Sequence, residues 1–78
     1  MTSKRLDSRY DNVVQRLTMH VADAMTFEFE IDARVVAKAL LAFEMLKGLA
    51  EPRELESGEW VLVYLVDETE FFVNDPTK

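Results

Sequence analysis

Fifteen carboxylates and a single imidazole are the groups in this 78-residue chain that could do acid–base or metal chemistry, and they are spread unevenly. Residues 48–78 carry eight acidic side chains (Glu51, Glu54, Glu56, Glu59, Asp67, Glu68, Glu70 and Asp75) against Arg53 and Lys78. That leaves the segment at −6, the formal charge of the whole chain, because residues 1–47 carry seven groups of each sign. A field of one sign attracts the opposite sign and repels its own, so the segregation bears on partners rather than on fold. It disfavours nucleic acid and anionic membrane at that end and favours a basic protein surface.

Catalytic groupings do not emerge. Nucleophilic catalysis needs a Ser, Cys or Thr beside a base. The chain has no cysteine, its one histidine is His20, and Ser3, Ser8 and Ser57 fall in terminal or loop stretches without an elbow motif. His20 sits one position before Val21, at the expected edge of a buried stripe. Gly48 and Gly58 stand alone, so there is no glycine-rich phosphate loop. A structural zinc site wants about four Cys or His ligands, which excludes one here. Glu28, Glu30 and Asp32 alternate at strand spacing, roughly 7 Å apart, too far for neighbours to share one cation. Asp67, Glu68 and Glu70 lack the spacing and glycine of a calcium loop. The expectation is a protein that is not an enzyme and takes no cofactor or metal.

Binding is the chemistry left. Glu51, Glu54, Glu56 and Glu59 precede an expected hairpin, and Asp67, Glu68 and Glu70 lie at its tip. Together they make an acidic docking set for a basic partner, with carboxylates standing where phosphates would lie if that partner binds DNA or RNA. The expected function is therefore a protein-binding regulator or inhibitor, acting as a nucleic-acid mimic. Arg5, Arg9 and Arg16 with Lys4 form the one basic stripe, and three or four phosphate contacts would give only weak, salt-sensitive binding. A pI near 4.6 is opposite to the usual nucleic-acid footprint.

These residues must be carried by a small domain. A chain this short buries only about 60–65% of the surface it exposes when unfolded, which leaves a thin stability margin. A hydrophobic share of 49% is ample for a core. No apolar run approaches the roughly 18 residues of a membrane span, and no apolar stretch follows Lys4 and Arg5 as in a secretory signal. The expectation is one cytoplasmic domain over 1–78, with 1–4 and 75–78 frayed.

Leu6, Tyr10, Val13, Val14, Leu17, Val21 and Ala24 recur at spacings of three and four, which predicts a first helix starting between residues 3 and 8. Met25, Phe27, Phe29 and Ile31 alternate with Thr26, Glu28, Glu30 and Asp32, the pattern of a strand with one wet face. Asp32 is placed to cap a second helix over Ala33–Leu49, which Gly48 would stop. Arg34, Lys38, Leu41 and Met45 form a stripe on that helix which begins charged and ends apolar. Either the helix is covered nearly all round, or the stripe is a homodimer seam with Arg34 or Lys38 pairing with Glu44 of the other chain. Residues 50–58 read as a connection with one helical turn at Pro52. Glu59–Val66 reads as a strand buried on both faces or central in the sheet, Asp67-Glu68 as a turn and Phe71–Val73 as a short last strand.

The fold class is thus α+β, ordered helix-strand-helix-strand-strand, with a small antiparallel sheet and two helices packed on one face. The same order suits a degenerate winged-helix regulator that touches nucleic acid through its first helix. A subunit of a larger assembly is a third expectation.

Overall fold

The computed structural model describes residues 16–78. Among them are four strands and one α-helix. These are β1 (Leu17–Thr18), α1 (Glu30–Ala42), β2 (Glu51–Glu54), β3 (Trp60–Val66) and β4 (Thr69–Val73), with a short 3-10 turn at Val21–Asp23 before α1. The sheet is antiparallel throughout, in the order β1-β4-β3-β2. No helix of the described residues is long and apolar enough to cross a membrane.

β3 is the middle of the fold. Its apolar run pairs with β2 on one side and β4 on the other, and its side chains feed two clusters. Leu62, with Trp60 and Tyr64, packs under Ala33 and Ala37 of α1, joined by Leu46, Ala50 and Val73. Val61 and Val63 point to the opposite face, where Ala24, Leu55 and Phe72 meet them. Val61, Leu62 and Val63 are thus buried on both faces, whereas Leu65 and Val66 at the far end of the strand are exposed.

The hairpins explain the connections. Asp67 and Glu68 take φ of 50° and 67°, the two positive angles that a tight two-residue turn needs, although neither is glycine. Residues 51–54, expected as a connection with a helical turn, are instead the edge strand β2. The turn that follows has Gly58 N–H donating to Leu55 O at 2.9 Å and Leu55 N–H donating to Glu59 O at 2.7 Å. Gly58 sits at φ 91°, the left-handed position that glycine fills without strain.

The expected strand over 25–32 is mostly not one. Ala24 bridges Asn74 and Phe27 bridges Trp60, so this extended segment is spliced between the diverging ends of β4 and β3. Phe27 N–H donates to Trp60 O at 2.8 Å and Trp60 N–H donates back to Phe27 O at 2.7 Å. Helix α1 then begins at Glu30, three residues before the expected start, with Phe29 at the N-cap and Asp32 inside the first turn. Glu30 and Asp32 suit the positive end of the helix dipole, and Glu30 accepts from Arg34 Nε at 2.7 Å, one turn on. At the other end the helix stops at Ala42, well short of Gly48. Glu44 adopts φ 57° and Met45 N–H reaches back to Leu40 O at 2.8 Å, a left-handed cap that turns Leu46 into the core.

Of the expected first helix, Leu6, Tyr10, Val13 and Val14 lie outside the described residues. Leu17 pairs with Val73 in the sheet, Val21 opens the 3-10 turn and Ala24 lies in a β-bridge, so the α-helix does not extend through them. Two helices on one face become one helix among the described residues. At the C-terminal end, Asp75 N–H donates to Asp23 O and Lys78 Nζ donates to Ala24 O, both at 2.9 Å.

Candidate docking surface

The seven acids singled out as a docking set are carried by β2, by the two hairpin turns and by β4. All seven are exposed. Glu56 and Glu59 belong to the β2–β3 turn, with Glu54 at its entrance, whereas Asp67 and Glu68 form the β3–β4 turn at the far end of β3. Seven strand residues separate the two turns by about 20 Å. The set is therefore two poles rather than one patch.

Glu51 and Glu70 lie between the poles. Directly opposed residues in antiparallel strands share a face, so Glu51 (opposite Val63), Arg53 (opposite Val61) and Glu70 (opposite Leu65) all stand on the side away from α1. There Arg53 Nη1 and Nη2 donate to Glu70 Oε1 and Oε2 at 3.0 and 2.6 Å. The hydrogen bonds from Arg53 hold the Glu70 carboxyl below its ordinary pKa, and the same contact, aided by Glu51, raises the guanidinium further. A pocket of about 340 Å³ opens beside this pair, bordered by Leu49, Pro52, Tyr64 and Leu65. Among the described residues Glu70 is the only member of the set in an ion pair. Glu59 accepts a hydrogen bond from the Ser57 hydroxyl at 3.3 Å.

The pole at the β2–β3 turn is larger than the sequence indicated. The Phe27–Trp60 bridge carries Glu28 alongside Glu59, and Glu54, opposite Trp60, faces the side on which α1 begins. Glu28 thus joins Glu54, Glu56 and Glu59 at one end of the sheet. No group of three carboxylate or imidazole ligands that could hold a metal ion occurs among the described residues.

Of the residues expected as a dimer seam, Arg34, Lys38 and Leu41 share one side of α1 and Met45 does not continue it. Arg34 is engaged by Glu30, Lys38 and Leu41 are exposed on α1, and Met45 lies beyond the helix end, where it lines a separate cavity with Met25, Leu40 and Val73. His20 is exposed, its backbone N–H donating to Thr18 Oγ1 at 3.1 Å. The residues that sequence reasoning passed over are Phe29, Ile31 and Val35, all more than half exposed. The i, i+4 spacing of Ile31 with Val35, in parallel with Glu30 and Arg34, was the available signal that this stretch is helical.

The chain matches no protein-family model, no curated protein and no solved structure at significant similarity.

Proposed function

We propose that this chain is a non-enzymatic binding module, a regulator or inhibitor that docks its carboxylates on a basic protein surface such as the nucleic-acid site of a DNA- or RNA-binding protein. The observation that carries the reading is that six of the seven acids in the docking set have no cation partner among the described residues. Charges that do not serve the fold are available to a partner, and they act chiefly through long-range attraction and association rate. Their two poles, about 20 Å apart, would span a basic groove rather than grip a point.

The test uses the full chain and an immobilised Lys/Arg-rich peptide as probe. The triple reversals Glu54→Lys, Glu56→Lys and Glu59→Lys should weaken capture at least tenfold with the circular dichroism unchanged. Asp67→Lys with Glu68→Lys should give a smaller loss. Capture that is indifferent to all five reversals overturns the reading.

A further inference from the structure

Helix α1 lies over β2 and β3. The β4–β1 half of the same sheet face has no helix above it among the described residues, although it is apolar. Phe71 stands opposite Tyr64 and Leu17 opposite Val73, so both share the side on which α1 packs. A cavity of about 350 Å³ opens on this side, walled by Met25, Leu40, Met45, Val73 and Pro76. None of the five carries a charge, and an apolar sheet face is ordinarily closed by a second layer.

Chain continuity names the occupant. Arg16 lines the cavity, and its carbonyl accepts from Asn74 N–H at 2.7 Å, which fixes the chain at the cavity's rim. Fifteen residues precede Arg16 and lie outside the described residues. Their apolar members Leu6, Tyr10, Val13 and Val14 recur at helical spacing. At helical rise Leu6 to Val14 would span about 12 Å, within the roughly 20 Å of α1. A tethered segment also has a high effective concentration at its own rim, so it outcompetes a free ligand or a second copy of equal chemistry.

We propose that this cavity is the seat of the chain's own residues 6–14, with Leu6, Tyr10, Val13 and Val14 covering Met25, Leu40 and Met45 and closing the β4–β1 half of the core. The occupant belongs to this chain, so failure of the acidic docking reading leaves the proposal untouched, and the reverse holds as well.

The chain has no cysteine, so Asn12→Cys gives a nitroxide a single attachment point off the apolar spacing. The labelled full chain is followed by NMR with isotope-enriched methionine methyls and backbone amides. The Met25 and Met45 methyl signals should broaden severalfold relative to the reduced label, while the Ser57 and Gly58 amides in the β2–β3 turn stay sharp. A tether alone brings the label near Arg16, so a second arm separates seating from tethering. Val13→Asp with Val14→Asp, added to the labelled chain, should remove most of the methionine broadening. Should the aspartates unfold the chain, Val13→Ser with Val14→Ser gives the same reading. Methionine signals that stay sharp, or broadening that survives the valine substitutions, overturn the proposal. Broadening passed from labelled chains to isotope-enriched unlabelled ones in a mixture would assign the cavity to a second copy and overturn it as well.

Discussion

Arg53 and Glu70 clamp together the two strands that flank β3, one guanidinium and one carboxylate meeting through two hydrogen bonds on the face opposite the helix. Both side chains are about half exposed, so solvent and salt screen the pair. Arg53→Gln should lower the Tm only slightly at low salt and not at all in 1 M salt. A large loss that persists in salt would mean the contact braces the sheet by packing instead.

Acid sensitivity follows from the same contact and from Asp75. Hydrogen bonds hold both carboxyls below their ordinary values, from Arg53 to Glu70 and from the Thr77 hydroxyl and backbone N–H to Asp75. A carboxyl whose pKa is depressed in the folded state contributes stability above its unfolded value, about 4, and loses it as pH falls through the folded one. Tm should therefore be flat from neutral pH to about 5 and fall below 4, with Arg53→Gln and Thr77→Val each flattening that decline.

Leu62 is fully buried beneath α1. Leu62→Ala should cost about 2–5 kcal/mol in urea denaturation, most of what a domain of this size has. A cost under about 1 kcal/mol would mean that the helix is not seated on this residue.

Two left-handed positions are occupied by glutamate: Glu44 at the helix end and Glu68 in the β3–β4 turn. Glycine takes these angles without strain, so Glu44→Gly and Glu68→Gly should each stabilise by about 1 kcal/mol. A loss of stability in either variant would show that the side chain compensates for its backbone.

The spliced segment makes its own prediction in hydrogen exchange. The Met25 N–H is bonded to Val73 O at 2.9 Å and the Phe27 N–H to Trp60 O. Both amides should be protected at the level of the β3 amides although neither lies in a strand, and Glu28 should exchange fast.

What the sequence made legible was set by the strength of each local signal. The apolar run of β3 and its turn at Asp67-Glu68 stand where the pattern put them, because seven consecutive apolar residues admit few other arrangements, and the last strand begins at Thr69, two residues before the expected Phe71. The alternation through Phe27, Phe29 and Ile31 misled because its second half is also the first turn of a helix, where Ile31 pairs in spacing with Val35. Gly48 drew the helix end too far, since burial of Leu46 demanded the turn at Glu44 despite its side chain. β2 was missed because Glu-Pro-Arg-Glu has almost no strand propensity; its place is fixed by pairing with β3. Of the docking set, the two poles were visible as sequence groups. The contribution of Glu28 was not, because it depends on a bridge between residues 33 positions apart.

Pro52 carries a last consequence. The register places Glu51, Arg53 and Leu55 in hydrogen-bonded pairs with β3, so the backbones of Pro52 and Glu54 face outward along the free edge. Proline has no N–H, which leaves Glu54 as the only outward donor within β2. A foreign strand laid along that margin would meet the carbonyls of Pro52 and Glu54 but a single N–H, so its pairing would lack one donor. Edge-to-edge growth is disfavoured on this side, which tilts recognition near β2 toward a partner's side chains and away from its main chain.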